Sequence, residues 1–391
     1  MNSASRLPRT FRLIVTGGGT GGHTYPALTA IRALQSRLAA EGGTLDVLWI
    51  GTADGLEARV APAEGIAFTT VATGKIRRSG NPLKMVSPAN VRDMARVPLG
   101  VAQARKIVAD FKPDVILATG GYVAVPAGLA ARMCRRPLVL HEQTVRLGLA
   151  NRKLAGSATR IAVSSESSLP LLPDSVRDAA VVTGNPIRPE VLTGHADKAV
   201  EALELRGFDR RLPTVYVTGG AQGAQQINEV IRDVLPWLVS HANVIHQCGP
   251  AHVETLRRHA ASLSPESAGR YYLTGFVGPE LPDVLALADV VVSRSGAGTL
   301  AELTALGKPA VFIPLASSAG NEQAHNARHL EDAGAAVALL GEITTANLRA
   351  ALGPLLTEPA RRVTMGERSR AQGRPDAADR LVDVILSAAS G

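Results

Sequence analysis

The residues best suited to chemistry lie in one short segment, where a glycine-rich turn is followed directly by a histidine. The turn spans residues 17–22 in the order Gly-Gly-Gly-Thr-Gly-Gly, and His23 comes next. Such a turn lets backbone N–H groups approach a ligand closely, and at the start of a helix these groups attract anions. An imidazole exchanges protons near neutral pH. The segment therefore predicts an anion- or sugar-binding site that carries its own base.

Two elements must hold this turn in place, a strand before it and a helix after it. Residues 11–16 form an apolar run typical of a strand, and residues 25–39 show helical apolar periodicity. The arrangement recurs in the second half of the chain, where residues 214–218 run into the turn 219–224, Gly-Gly-Ala-Gln-Gly-Ala. Two such starts, each opening about half of the chain, predict two doubly wound α/β domains.

Further apolar runs support parallel sheets that are covered on both faces. These runs are residues 45–50, 113–118, 138–140, 244–246, 289–292 and 310–314. The segment 183–189 holds two prolines and a glycine, which interrupt regular structure. It therefore predicts a boundary between a first domain, residues 1–187, and a second domain that begins at residue 188.

Composition excludes several classes of protein. The chain is 46% hydrophobic and 19% charged, which is typical of a globular protein rather than a disordered one. Its two cysteines cannot form a disulfide framework, as expected in a reducing cytosol. The first ten residues are polar and no apolar run approaches ~18 residues, so we expect neither a secretory signal nor a membrane-spanning helix.

Charge is distributed unevenly between the halves of the chain. Residues 1–187 hold 23 Lys and Arg against 12 Asp and Glu, whereas residues 188–391 hold 19 against 22. The basic half indicates an anionic partner. No nucleic-acid-binding motif accompanies the charge, so we expect no nucleic acid partner and favour an anionic membrane surface.

The first turn admits other interpretations. His23 has a possible structural role, in which it caps the following helix and packs against Pro26. A dinucleotide site is disfavoured, because the second strand ends in Ile50-Gly51-Thr52 without the acidic residue that would bind a ribose diol. A nicotinamide-dependent oxidoreductase is therefore not expected.

Six motifs in order give the chain a family resemblance. They are residues 18–23 (GGTGGH), 120–123 (GGYV), 141–143 (HEQ), 184–188 (GNPIR), 219–224 (GGAQGA) and 293–296 (SRSG). In this order and spacing, over about residues 11–390, they resemble the MurG family of bacterial N-acetylglucosaminyltransferases, which convert lipid I to lipid II in peptidoglycan synthesis.

The resemblance implies a GT-B fold, in which two Rossmann-like domains face each other across a cleft. The first domain approaches a polyprenyl-diphosphate-linked N-acetylmuramyl-pentapeptide, and the second, residues 188–370, holds UDP-N-acetylglucosamine. A helix within about residues 371–391 packs back on the first domain. The reaction is inverting and uses no cofactor and no metal; the chain also lacks the Asp-x-Asp motif of metal-dependent glycosyltransferases.

The resemblance also assigns roles to individual residues. His23 is the catalytic base, or orients the acceptor hydroxyl. Glu302 accepts hydrogen bonds from both ribose hydroxyls, Phe276 lines the uracil pocket, and the backbone of Val277 reads the base edge. Residues expected at the UDP-N-acetylglucosamine site are Thr20, Gly21, Gly22, Thr144, Arg188, Ala221, Gln222, Gly223, Phe276, Val277, Ala297, Gly298, Thr299, Glu302 and Gln323. Those expected on the acceptor side are Gly120, Gly121, Tyr122 and Glu142.

Several of these residues have a plausible structural role instead. Thr299-x-x-Glu302 matches a helix capping box. Arg188 fits a linker surface, Phe276 fits a core, and Gln323 with Asn326 fits helix capping. His246, Cys248 and His252 have a spacing compatible with metal ligation, but no fourth ligand is obvious.

Basic and apolar residues alternate in the first domain at 75–78, 83–86 and 96–99, and again at 132–136. The structural alternative is a solvated basic face. The favoured interpretation is docking on an anionic leaflet, where each basic residue contributes about 1 kcal/mol. Together with the lipid-linked acceptor, it places the protein in the cytoplasm, peripherally on the inner face of the cell membrane.

Three positions depart from the family pattern: Thr144 stands where Asn is usual, Ala221 where Ser is usual, and Glu322 adds a charge before Gln323. They leave three alternatives open. One is a diverged paralogue with another acceptor, and the second is a UDP-N-acetylglucosamine 2-epimerase-like isomerase. The third is a UDP-sugar-binding protein without catalysis.

Overall fold

The computed structural model describes residues 10–74 and 88–390. These residues form two compact units. One contains the described residues up to Ile187 together with those from Pro375 onward, and the other contains Arg188–Arg374.

The first unit is built on a parallel sheet of seven strands within the described residues. Their order across the sheet is β3-β2-β1-β4-β5-β6-β7, with β1 at the point where the winding reverses. The strands are β1 (Thr10–Gly17), β2 (Thr44–Gly51), β3 (Ala67–Thr70), β4 (Val115–Gly120), β5 (Leu138–Glu142), β6 (Arg160–Val163) and β7 (Ala180–Val182).

Helices cover both faces of this sheet. Alternate residues of β1 serve opposite cores, since Leu13 and Val15 pack into one cluster while Ile14 packs into the other. The helices connecting the strands are α1 (Gly21–Ala40), α2 (Glu57–Ala63), α3 (Pro88–Phe111), α4 (Ala124–Met133), α5 (Leu149–Leu154) and α6 (Asp174–Arg177).

The second unit repeats the plan with six parallel strands among the described residues, in the order β10-β9-β8-β11-β12-β13. Its strands are β8 (Thr214–Thr218), β9 (Asn243–Gln247), β10 (Tyr271–Thr274), β11 (Val290–Ser293), β12 (Ala310–Phe312) and β13 (Val337–Ala338). Its helices are α7 (Ala196–Ala202), α8 (Gln225–His241), α9 (Val253–Ala260), α10 (Pro265–Gly269), α11 (Leu281–Leu287), α12 (Ala297–Leu306), α13 (Glu322–Asp332), α14 (Thr345–Thr357) and α15 (Pro359–Gln372).

One further helix, α16 (Ala377–Ser390), belongs to the first unit although it follows the second along the chain. It packs against α1, and its Leu381 and Ile385 are fully buried in the same cluster as Leu34 and Leu38 of α1. Arg37 of α1 also pairs with Asp383 at 2.8 Å. The core on this side of the first sheet is therefore completed by residues from distant parts of the sequence.

The predicted fold class, two doubly wound α/β domains with parallel sheets, is confirmed. Short strands β3, β6, β7, β10 and β13 were not predicted as such. None of the helices in the described ranges is both long enough and apolar enough to cross a bilayer.

Candidate active site

The first glycine turn joins β1 to α1 and is shorter than the sequence predicts. Gly17 ends β1 and α1 begins at Gly21, so the helix start expected at residue 25 is wrong by one turn. The early start places Gly21, Gly22 and His23 in the first helical turn, where the N–H groups of Gly21 and Gly22 have no intrahelical acceptor. Thr20 is the N-cap residue, and its carbonyl accepts the N–H groups of His23 and Thr24, each at 3.2 Å. The loop thus presents unpaired donors next to the imidazole, as an anion or sugar site requires.

A carboxylate that the sequence analysis did not single out accepts hydrogen bonds from the backbone of this loop. Glu57, buried at the start of α2, accepts the N–H groups of Gly19 and Thr52, each at 2.9 Å, and the Thr52 hydroxyl at 2.9 Å. Burial raises the pKa of Glu57, but these hydrogen bonds outweigh burial and hold the pKa below its usual value. A Cβ atom on Gly18 would collide with this carboxylate, which explains the glycine there.

His23 is half-buried and is oriented by a residue from the third motif, residues 141–143. Its Nδ1 lies 3.0 Å from Oε1 of Gln143, which follows β5. The backbone carbonyl of His23 accepts the hydroxyl of Thr119 at 2.9 Å, which joins α1 to the end of β4. The alternative role of His23 as a helix cap does not hold, because Thr20 occupies the N-cap position.

The two glycines expected on the acceptor side, Gly120 and Gly121, provide space for this histidine and for its loop. Gly120 has φ +110°, and a Cβ atom on it would lie 2.8 Å from Cε1 of His23. Gly121 has φ +84°, and its Cβ atom would lie 2.7 Å from the carbonyl oxygen of Gly18. Tyr122 comes next and is 40% exposed. The structure therefore brings Gly120, Gly121 and His23 together at the carboxyl edge of the first sheet, where doubly wound folds bind ligands.

Glu142 and Thr144 form their hydrogen bonds mainly within the loop and helix that follow β5. The buried Glu142 carboxylate accepts the N–H of Thr144 at 3.1 Å, the N–H of Gly148 at 2.8 Å and the side-chain amide of Asn151 at 3.0 Å. The Thr144 hydroxyl lies 2.8 Å from Glu142 Oε1 and 2.7 Å from the Arg146 carbonyl oxygen. These contacts give both residues a structural role in shaping the loop that follows β5; their expected contacts with substrate stay predictions.

The second glycine turn joins β8 to α8, and only part of it has free donors. Gly223 donates its N–H to the Gly220 carbonyl at 3.0 Å, and Gly220 donates to the Thr218 hydroxyl at 3.0 Å. The expectation that the Gly223 amide faces a diphosphate conflicts with this hydrogen bond. Ala221 and Gln222 are exposed at the tip of the turn. Their backbone N–H groups are the better candidates for an anion.

Gln247, at the end of β9, connects this turn to the expected base-binding segment. Its amide nitrogen donates to the Gly220 carbonyl at 2.9 Å, and its amide oxygen accepts the N–H of Val277 at 2.9 Å. Since that N–H is used internally, the carbonyl of Val277 is the backbone group left to read a base edge. Phe276 is 57% exposed, so its alternative role as a core residue is wrong.

Glu302 is paired with Arg188 rather than with its own helix start. Helix α12 begins at Ala297 with Gly296 as N-cap, so the capping box proposed for Thr299 and Glu302 is wrong. Glu302 Oε1 accepts Nε and Nη2 of Arg188 at 3.1 and 2.9 Å. The pairing leaves Oε2 of Glu302 as the oxygen best placed to accept another donor.

Helix α12 presents the donors expected for a nucleotide. Ala297, Gly298 and Thr299 form its first turn, whose N–H groups have no intrahelical acceptor, and Gly296 provides no side-chain cap. Gln323 is the second residue of the next helix along the chain, α13, and its side-chain oxygen accepts the N–H of Leu315 at 2.9 Å. Asn326 is buried and donates to the carbonyl of Ser295 at 3.1 Å, so it holds the loop before α12 rather than lying on the surface.

The alternative metal site at His246 does not form. His246 Nδ1 lies 2.9 Å from the Tyr271 hydroxyl, and Nε2 lies 3.0 Å from the side-chain oxygen of Asn228. Burial lowers the pKa of His246 to about 3. Both ring nitrogens are therefore committed to a neutral internal network, and no cluster of three or more ligand side chains occurs in the described ranges.

Comparison with known proteins identifies the family. Residues 13–163 match the glycosyltransferase family 28 N-terminal domain, and residues 214–381 match the glycosyltransferase family 28 C-terminal domain. A Listeria welshimeri protein is 36% identical over 378 residues, covering 96% of this chain and 99% of that protein. A Halothermothrix orenii protein is 35% identical over 385 residues, covering 97% and 100%. Both are named UDP-N-acetylglucosamine–N-acetylmuramyl-(pentapeptide) pyrophosphoryl-undecaprenol N-acetylglucosamine transferase.

Solved structures agree with this assignment. The crystal structure of MurG from Acinetobacter baumannii matches with a TM-score of 0.73 and 26% identity, covering 96% of this chain and 99% of that one. A UDP-GlcNAc 2-epimerase from Neisseria meningitidis matches with a TM-score of 0.65 at 17% identity, covering 96% and 99%, which shows a shared fold alone. The chain therefore belongs to the MurG family of glycosyltransferases, as its six motifs predict.

Proposed function

We propose that this chain transfers N-acetylglucosamine from UDP-N-acetylglucosamine to the 4-hydroxyl of the N-acetylmuramyl unit of undecaprenyl-diphosphate-linked N-acetylmuramyl-pentapeptide, with inversion. The observation that carries the proposal is the match of 96% of the chain to relatives that are named for this transfer. The positions of His23, Glu302 and the two glycine turns at strand ends are compatible with it.

In the proposed reaction His23 removes the proton from the acceptor hydroxyl as its oxygen attacks C1 of the donor sugar. The bond from C1 to the diphosphate oxygen breaks, and UDP leaves with one additional negative charge. Because Nδ1 of His23 faces the side-chain oxygen of Gln143, Nε2 is the nitrogen that carries the free lone pair. A single displacement by an activated hydroxyl needs no covalent intermediate.

The leaving UDP is stabilised by backbone donors of the second unit. The N–H groups of Ala297, Gly298 and Thr299 lie at the positive end of the ten-residue helix α12. Exposed amides of Ala221 and Gln222 add donors from the second turn, and Glu302 Oε2 accepts a ribose hydroxyl. This arrangement supports transfer without a divalent cation, so we expect full activity in the presence of excess EDTA, and loss of turnover on chelation would contradict the proposal.

One assay distinguishes the proposal from its alternatives. The protein is incubated with UDP-N-acetylglucosamine, with and without a lipid I analogue, and UDP release is measured. Release that depends on the acceptor supports the transferase. Acceptor-independent release or formation of an epimer indicates an isomerase, and tight UDP-sugar binding without product indicates a binding protein.

The base role of His23 is tested in the same assay. His23→Ala is expected to reduce turnover at least ~100-fold, because a positioned general base contributes about 10²- to 10⁴-fold. His259→Ala, a change of the same type on the surface of α9, is the matched control and is expected to leave turnover unchanged. Equal rates for His23→Ala and the unmodified protein would reject the role.

We further propose that α3 and α4 dock the protein on an anionic leaflet. Leu99 and Met133 are 55% and 54% exposed, and Arg96, Arg132 and Arg135 are exposed on the same two helices or directly after them. The basic residues 75–78 and the segment 83–86, also expected to contribute, lie outside the described residues.

Vesicle co-sedimentation tests this docking. We expect binding to phosphatidylglycerol vesicles that weakens with salt, and weaker binding by the Leu99→Ser/Met133→Ser double variant. Val363→Ser, which removes a 60% exposed side chain of the second unit, is the control and should bind as the unmodified protein does. Absence of binding at every salt concentration would refute the proposal.

A further inference from the structure

Gln143 links the candidate base to a second, fully buried histidine. Its side-chain nitrogen lies 2.8 Å from the carbonyl oxygen of Thr119 and 3.2 Å from that of His141. The same nitrogen lies 3.0 Å from Nδ1 of His141. On its other side, the Gln143 oxygen faces Nδ1 of His23 at 3.0 Å.

These contacts fix the orientation of the Gln143 amide. A flipped amide would place its oxygen against two carbonyl oxygens and a ring nitrogen, all of which are acceptors here. The observed orientation satisfies both amide hydrogens, and the side chain is only 5% exposed. The amide oxygen is therefore held toward His23.

His141 contacts the side-chain nitrogen of Gln143 and stabilises this orientation of the amide. Its Nε2 lies 3.1 Å from the carbonyl oxygen of Gly184, so Nε2 carries a hydrogen and Nδ1 is left as an acceptor for the amide of Gln143. Burial, the largest cause, lowers the pKa of His141 to about 4; the hydrogen bond to Gly184 opposes this and the charge of His23 adds to it. A protonated His141 would place an N–H against the Gln143 amide and break the contact. A neutral His141 is what the network requires.

We propose that Gln143 is a positioning residue, which holds the imidazole of His23 in the tautomer with hydrogen on Nδ1 and the lone pair on Nε2. Only this tautomer leaves Nε2 able to accept a proton from a substrate hydroxyl. Gln143 itself contacts no reacting atom; it acts through His23, as the orienting residue of a nucleophile–base pair does. The proposal rests on the base role of His23, and the experiment separates the two.

The tautomer is read directly by ¹⁵N NMR of the histidine side chains in the full chain, with the His23 signals assigned by their loss in His23→Ala. We expect His23 of the unmodified protein to show hydrogen on Nδ1. In Gln143→Met, which keeps the length but removes both the oxygen and the N–H donors of the amide, we expect a shift toward the Nε2–H form. Gln103→Met, a matched change at a distant amide that accepts the N–H of Ala72, should leave the His23 signals unchanged.

Turnover supplies the second readout. Gln143→Met is expected to lower kcat/KM by about 10- to 100-fold, less than removal of the base itself. In a His23→Ala background the same change should cost nothing further, because a residue that acts only through the imidazole has no effect once the imidazole is gone. A general structural defect would instead lower both activities.

Three results would overturn the proposal: an Nε2–H tautomer in the unmodified protein, an unchanged tautomer in Gln143→Met, or equal losses in the two backgrounds. The first needs no variant, so the test stands even if Gln143→Met does not fold. If His23 has the expected tautomer but His23→Ala retains full turnover, the base role fails while the control of the tautomer by Gln143 stands.

Discussion

Replacement of Gly120 by alanine reduces the space available to the His23 side chain but leaves the imidazole itself unaltered. The added Cβ atom would lie 2.8 Å from Cε1 and 3.0 Å from Nδ1 of the imidazole. An ordinary contact begins at 3.4 Å, so the ring must retreat by about 0.6 Å or the loop must move. Because a misplacement of about 1 Å can cost about 10²-fold in rate, we expect kcat/KM for N-acetylglucosamine transfer to fall about tenfold.

The backbone contributes a separate cost in stability. Gly120 has φ +110°, where alanine is strained by about 1–3 kcal/mol. Gly42 is the matched control, since its φ of +76° also disfavours alanine but nothing lies within 4 Å of the added Cβ atom. Urea unfolding should show that both variants are destabilised, and steady-state kinetics should show that only Gly120→Ala loses activity. Unchanged kinetics in Gly120→Ala, or an equal loss in Gly42→Ala, would refute the contact argument.

Three further predictions concern other groups of the site. Glu57→Gln is expected to lower the free energy of unfolding by about 1–3 kcal/mol, because the amide cannot accept from both Gly19 and Thr52 as the carboxylate does; urea titration measures it. Glu302→Ala is expected to weaken UDP binding about 10- to 100-fold and to abolish the preference for UDP over 2′-deoxy-UDP, as calorimetry can measure; a retained preference would contradict the ribose contact. The free energy of unfolding should fall as the pH is lowered from about 6.5 toward 4, because burial holds the folded-state pKa of His141 near 4 and the unfolded chain therefore binds more protons in that range. Urea denaturation at pH 7 and at pH 5 measures this change. A higher free energy of unfolding at pH 5 would contradict the prediction.

Elements whose signal lies in adjacent residues could be predicted from the sequence. The strand–glycine–helix starts were identified because the apolar runs of β1 and β8 lead directly into glycines, a signal contained in adjacent residues. The start of α1 was misplaced because the first turn of a helix need not be apolar, and Gly21 and Gly22 lack the periodicity used to find it. The short strands β7 and β13 have only three and two residues, too few for an alternating pattern.

Partners distant in sequence could not be predicted in the same way. Glu302 was weighed as part of a capping box because Thr299 is nearby, whereas its observed partner Arg188 lies 114 positions away. His23 was expected to be a base from its type and place, but the residue that orients it, Gln143, is 120 positions distant. Strand order sets the second of these pairs, because it places the carboxyl ends of β1, β4 and β5 side by side. The chemistry that a single residue can perform was thus predictable from the sequence, whereas the residues that contact it could be identified only from the fold.

The position of α16 has a consequence for how the protein is made. A ribosome synthesises this helix after the entire second unit, yet its Leu381 and Ile385 complete the core against Leu34 of α1. During translation the first unit therefore carries an uncovered apolar groove, while the second unit already has all its residues. We expect the first unit to complete its core only after α16 has been synthesised, and nascent chains stalled before residue 377 to be substrates for chaperones that bind exposed apolar surface.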